Sequence, residues 1–166
     1  MKINVIQLKK AVGSKQEFKF ITSAETLFKG EEPPVWLHSK LNIYGEIVNN
    51  GRFLDVVGTI EAKADFQCTG CLEPFVEELK ISFSDGFYEG DGNEFEMEYT
   101  YYNGDEVDIT DLVRESILLA EPLKPICSKD CRGLCAECGI NLNLETCSCT
   151  NESIDPRLSV LKQFLE

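Results

Sequence analysis

Eight cysteines arranged as four close pairs constrain this chain more than any other feature of its sequence: Cys68 with Cys71, Cys127 with Cys131, Cys135 with Cys138, and Cys147 with Cys149. Cysteines placed for core packing alone would not pair in this way. A short spacer lets one tight turn present two sulfurs to the same ion, and two such pairs close a tetrahedral site with metal–sulfur bonds of about 2.3 Å. The chain is therefore expected to fold around metal at its cysteines.

The redox setting supports the same reading. Met1 to Gln16 begins with a basic residue but contains no continuous apolar region of about 7–15 residues and no small-residue cleavage site, so a cytoplasmic location is expected. No stretch approaches the ~18 apolar residues of a membrane span. Cytosolic thiols are kept reduced and structural disulfides are rare there, which leaves metal as the explanation for eight cysteines.

Cys135-Ala-Glu-Cys138-Gly139 is the sharpest piece. A glycine after the second cysteine permits the close turn of a zinc knuckle, in which backbone N–H groups point toward sulfur. Eight residues separate Cys138 from Cys147, enough for the chain to fold back and close a local site with Cys147 and Cys149. A second site would join Cys127 and Cys131 to Cys68 and Cys71 across about 56 residues of chain. Spacing leaves two alternatives open: one site made wholly of C-terminal cysteines with Cys68 and Cys71 as a free dithiol, or an interleaved pairing. Zn²⁺, two ions in all, is the expected metal. Four thiolates also suit iron, as in rubredoxin-like electron carriers. A redox-active Cys68-x-x-Cys71 is disfavoured, because the thiol pKa is lowered by a helix N-terminus and here Pro74 and a strand follow.

A length of 166 residues suits one main core with a small annex, and a 43% hydrophobic fraction with ten Phe is sufficient to build that core. The expected class is α+β: an antiparallel β-sheet or partly closed barrel with two short helices and a C-terminal zinc-knuckle-like cysteine module. Residues 1–123 form the β-rich domain with one helix, and 124–166 form the metal-binding module with a C-terminal helix packed on it.

Val35 to Ala64 alternates and is interrupted by Asn49-Asn50-Gly51, which predicts a hairpin with a type I′ turn and a core of Leu37, Leu41, Ile43, Phe53, Val57 and Ile60. A second hairpin carries Cys68 and Cys71 at its tip and returns as Phe75 to Phe83. Glu17 to Thr22 is a further strand. Ser84 to Asp108, Gly-rich and acidic, reads mostly as a solvated loop in which Tyr99, Tyr101 and Tyr102 add one strand. Thr110 or Asp108 caps a helix with Leu112, Val113, Ser116, Ile117 and Ala120 on one face, ended by Pro122 and Pro125. Asp155 and Pro156 start the last helix, with Leu158, Leu161, Phe164 and Leu165 on its apolar face.

The formal net charge is −13. Residues 85–115 hold 11 acids and one base, net −10, whereas 124–166 hold six acids and five bases, net −1. Phosphate backbones are bound through Lys and Arg that replace counterions, so broad nucleic-acid affinity is disfavoured and a basic protein partner is favoured. Lys129, Arg132 and Arg157 leave room for local RNA contact at the cysteine module.

Catalytic signals are sparse. His38 is the sole histidine and reads as a surface or satisfied residue of a strand. The chain has no phosphate-binding glycine loop, no Gly-x-Ser-x-Gly and no His-Glu-x-x-His, so no catalytic residues are assigned and the expected role is non-enzymatic.

Cys68-x-x-Cys71-Leu-Glu-Pro74-Phe75, Glu121-Pro122-Leu123, Cys127-x3-Cys131-Arg-Gly133-Leu134-Cys135-x-x-Cys138-Gly139-x-Asn141-Leu142-Asn143 and Asp155-Pro156-Arg157 together resemble the YceD family of bacterial proteins. The resemblance implies a ribosome-biogenesis factor that supports accumulation of large-subunit (23S) ribosomal RNA, and it brings no catalytic residues with it. Combined with the charge distribution, it implies a basic ribosomal protein or rRNA-processing factor as partner. The competing classes are a thiol or iron-site redox protein and a zinc-bearing regulatory interaction module.

Overall fold

The computed structural model describes residues 1–38, 40–90 and 100–149. The chain divides into two compact units, each assembled from two segments. The first is Met1–Phe66 with Phe75–Leu123; the second is Gln67–Pro74 with the chain from Lys124 onward.

The described residues form seven strands, which build the first unit apart from the end residues Gln67 and Pro74: β1 (Lys2–Asn4), β2 (Lys15–Ser23), β3 (Lys40–Asn49), β4 (Leu54–Gln67), β5 (Pro74–Glu89), β6 (Thr100–Tyr102) and β7 (Glu106–Asp108). Five form one sheet in the order β2-β3-β4-β5-β6, and β1 pairs antiparallel with β7 in a two-stranded sheet. The larger sheet keeps two separate edges, β2 and β6, so the barrel alternative is corrected to an open sheet. It is also mixed, because β6 runs parallel to β5.

Alternation builds this unit. Along β4 the inward residues Leu54, Val56, Ile60, Ala62, Ala64 and Phe66 are buried, while the intervening positions are half-buried or exposed, which is the period of two that sets a strand on one core. The β3–β4 hairpin pairs Asn49 with Leu54 and Ile43 with Ile60. Its turn is longer than the expected two-residue type I′. Asn50 to Phe53 form the loop, the Asn50 Oδ1 accepts from the amides of Arg52 and Phe53, and Gly51 takes the positive φ of 90°. Four of the six expected core residues, Leu37, Leu41, Ile43 and Ile60, are buried; Phe53 is half-buried. Val57 is 46% exposed: with Ile60 inward, a residue three places away falls on the opposite face of the strand, and its neighbour Val56 takes the core position.

Gly45 and Gly58 face each other across this hairpin. A Cβ on Gly58 would meet the Phe83 ring at 2.4 Å, and Phe18 and Phe83 lie with ring centroids 6.5 Å apart. Two aromatic rings thus fill the space that the glycines leave.

Ser84 to Asp108 departs from the loop expectation. Strand β5 continues to Glu89, and β7 is a three-residue strand held by pairing with Lys2–Asn4, whereas β6 is the strand expected at Tyr101 and Tyr102. Tyr99 and the other residues of 91–99 lie outside the described residues, as does Ser39.

A short helix α1 (Ala24–Leu27) is capped by Ser23, whose hydroxyl accepts from the Thr26 amide. The expected helix is α2 (Thr110–Leu119), which buries Val113 and Ile117. Ile109 stands at its N-cap, but the Asp108 carboxylate takes the Thr110 amide. The helix expected from Asp155 lies outside the described residues.

Candidate metal centres in the cysteine-bearing unit

Among its described residues the second unit has little regular structure, and turns position its sulfurs. In the first turn the Cys68 amide donates to the Glu73 carbonyl and the Leu72 amide donates to the Cys68 carbonyl, both at 2.9 Å. The second turn repeats this: Cys135 N–H to the Ile140 carbonyl and Gly139 N–H to the Cys135 carbonyl, again at 2.9 Å. Cys68 to Glu73 and Cys135 to Ile140 are therefore the same knuckle twice. Gly139 has a φ of 74°, and Leu72 at the matching position has a φ of 61°. A glycine signature found the second knuckle and missed the first.

Backbone hydrogen bonds assemble the unit. The Thr69 amide donates to the Pro125 carbonyl, the Leu134 amide to the Gly70 carbonyl, and the Leu142 amide to the Gly133 carbonyl. Gly133, at a φ of 69°, lets its backbone approach Gly70; a Cβ there would sit 3.0 Å from the Gly70 oxygen.

The eight sulfurs gather into two groups of four, each with all sulfurs within 4.8 Å of one another: Cys68, Cys71, Cys127 and Cys131, and Cys135, Cys138, Cys147 and Cys149. This is the arrangement of one long-range and one local group. In the long-range group Cys68 and Cys131 are 3.7 Å apart and Cys71 and Cys127 3.6 Å. In the local group Cys147 lies 3.4 Å from Cys135 and 3.5 Å from Cys138. These separations far exceed the ~2.05 Å of a disulfide. They approach the edge of about 3.8 Å that a tetrahedron with 2.3 Å metal–sulfur bonds requires. Both groups can hold a metal ion.

The environments within each group are unequal. Backbone amides of Cys127 and Cys71 aimed at its sulfur bring the Cys68 thiol down to about 6, and those of Cys138 and Glu137 do the same for Cys135. The neighbouring Cys68 and Cys71 sulfurs push Cys127 up to about 12, and Cys147 and Cys138 raise Cys149. Amide dipoles favour the first thiolate, and crowding then opposes the next until a cation is present. Four sulfurs so placed are suited to binding metal with release of protons.

Asn141 and Asn143, noted in the sequence only as parts of a resemblance, have defined contacts. The Asn143 Nδ2 donates to the Cys131 sulfur at 3.4 Å and to the Asn141 Oδ1 at 2.9 Å, and its Oδ1 accepts the Arg132 amide at 2.8 Å. His38, in the first unit, lies 2.7 Å from the Asp65 carboxylate in an exposed pair, and no metal-ligating group forms around it among the described residues. Arg157 lies outside the described residues.

The family described as "Large ribosomal RNA subunit accumulation protein YceD" matches residues 56–165, a span that contains all eight cysteines. The chain belongs to the YceD family. Uncharacterized proteins of Mycobacterium tuberculosis and Mycobacterium bovis are 29% identical over 114 residues, covering 66% of this chain and 55% of each relative. The chain thus spans about half the length of these curated relatives. A chloroplastic protein of Arabidopsis thaliana, named as a large ribosomal RNA subunit accumulation protein YCED homolog, is 38% identical over 50 residues, 30% of this chain and 16% of that protein. Its Zea mays counterpart is 47% identical over 45 residues, 27% of this chain and 15% of that protein. No solved structure matches the chain. No helix among the described residues is long and apolar enough to cross a membrane.

Proposed function

We propose that this YceD-family protein is a non-enzymatic, cytoplasmic factor that supports accumulation of large-subunit ribosomal RNA, with two structural Zn²⁺ ions held by Cys68, Cys71, Cys127 and Cys131 and by Cys135, Cys138, Cys147 and Cys149. The observation that carries the reading is the pair of four-sulfur groups inside the segment that matches the family. Four protein ligands per ion leave no open position for substrate, as in structural zinc sites. Metal analysis of purified protein is expected to give two zinc equivalents and no visible absorption. Iron absorbance would support the redox alternative instead.

The partner is a basic ribosomal protein or processing factor that meets the acidic 85–115 segment. Neutralising several of its acids is expected to weaken binding to such a protein; unchanged binding rejects this surface. Direct rRNA contact through Lys129 and Arg132 predicts a salt slope that changes in Arg132→Ala, measured by gel shift across a salt series. For the cellular role, cells carrying only the Cys135→Ser/Cys138→Ser protein are expected to show a lowered ratio of large- to small-subunit rRNA. A normal ratio would count against a role for the local metal site in rRNA accumulation.

A further inference from the structure

The two sulfur groups are not independent. Asn141, Leu142 and Asn143 lie between Cys138 and Cys147, so they belong to the loop that the local group closes. From that loop, Asn143 donates to the sulfur of Cys131, a member of the other group, at 3.4 Å. The same amide is held in place on both sides. Its oxygen accepts the Arg132 amide at 2.8 Å, and its nitrogen also reaches the Asn141 Oδ1, which in turn accepts the Asn143 amide at 3.0 Å. Asn141 extends the connection to the first knuckle through Glu73, Nδ2 to Oε1 at 3.4 Å. The Leu142 amide fixes the loop on the Gly133 carbonyl, two residues from Cys131.

We infer that Asn143 is a positioning residue through which the local site controls metal affinity at the long-range site. An N–H aimed at a metal-bound thiolate orients the ligand and disperses its charge, and loss of such a contact typically costs 10–100-fold in metal affinity. Here the donor sits on a loop whose two ends, at Cys138 and Cys147, are tied together by an ion that Cys135, Cys138, Cys147 and Cys149 share. Filling the local site orders the loop and presents the Asn143 amide to Cys131. Linkage makes the effect reciprocal, so each ion raises affinity for the other. This inference rests on the proposal that both groups bind Zn²⁺.

The test is a four-way comparison of Zn²⁺ affinity at the long-range site, by competition with a chromophoric chelator, in the full chain. The proteins are wild type, Asn143→Asp, Cys138→Ser/Cys147→Ser, and the combined variant. Asn143→Asp keeps the acceptor for the Arg132 amide but removes the donor to Cys131, and it leaves all eight cysteines in place. Both the Asn143→Asp and the two-serine proteins are expected to bind at least tenfold more weakly than wild type. In the two-serine background the Asn143→Asp change is expected to add little, because the loop is already released; such non-additivity measures the coupling. Full additivity, or wild-type affinity in Asn143→Asp, would overturn the inference while leaving two zinc sites intact. Fewer than two zinc equivalents in the wild-type protein would instead overturn the reading on which it rests.

Discussion

Leu72 follows the second cysteine of its knuckle at a φ of 61°, a region where a side chain costs about 1–2 kcal/mol relative to an ordinary conformation. Its side chain is 54% exposed, so little packing offsets that strain. Leu72→Gly is therefore expected to stabilise the cysteine-bearing unit by up to about 1 kcal/mol, after the greater freedom of an unfolded glycine is deducted. The mirror change, Gly139→Ala, should destabilise by a similar amount; chelator-induced unfolding measures both. The contrast also explains what was legible. Gly139 advertised its backbone and Leu72 did not, since a sequence reveals a left-handed residue only where glycine or asparagine occupies it. Asn143 was likewise opaque, because its role depends on Cys131, a residue twelve positions earlier with which it shares no spacing rule. Asp108 offers a residue-scale test of pH. Burial opposes its ionisation, but the N-terminal ammonium, the Thr110 hydroxyl and the Thr110 amide outweigh burial and hold its carboxyl down at about 2. A depressed folded pKa stabilises above the ordinary value of about 3.9 and loses that stabilisation as pH falls toward about 2. The carboxylate is half-exposed, so screening reduces the effect to about 1 kcal/mol. Asp108→Asn should then be less stable than wild type at pH 6, with the gap closing near pH 2 in urea unfolding. An equal gap at both pH values would refute the charge-based account.

At the scale of elements, the β3–β4 hairpin and α2 were readable because each obeys a local period. Strand β6 was marked by its tyrosines, Tyr101 and Tyr102, but β7 was not. Its three residues carry no periodic signal, and it exists because Lys2 to Asn4 pair with it from far along the chain. Val57 was misplaced against the strand's own period: alternation that sets Ile60 in the core sets Val57, three residues away, on the other face and gives its place to Val56. The glycine pair of this hairpin gives a sharp expectation. Gly58→Ala places a methyl group 2.4 Å from the Phe83 ring and should cost about 1–3 kcal/mol as overpacking. Gly58→Ala combined with Phe83→Leu should recover part of that loss, as measured by denaturant midpoints. No recovery would mean that Phe83 is not the obstacle.

Across the whole molecule, the two units draw on different sources of stability. The first buries a continuous apolar core that includes Leu41, Ile43, Ile60, Val113 and Ile117. Among the described residues of the second, the buried side chains are Cys68 and Cys71. Structural zinc contributes about 10–16 kcal/mol of apparent binding energy in small peptides, as much as an entire domain's stability. Stripping metal with a chelator should accordingly abolish amide protection in 67–74 and 124–149 while strands β3 and β4 up to Phe66 remain protected in hydrogen exchange. Retained protection in 127–149 would refute a structural role for the metal. The assembly of the second unit from Gln67–Pro74 and a segment that starts at Lys124 also has a consequence in time. A ribosome adds about 5–20 residues per second, and 56 residues separate Cys71 from Cys127. For roughly 3–11 s of every synthesis, Cys68 and Cys71 exist as a nascent dithiol with no partners to complete a tetrahedron. In that interval the knuckle is open to oxidants and to the wrong metal, and only the arrival of Cys127 and Cys131 ends its exposure.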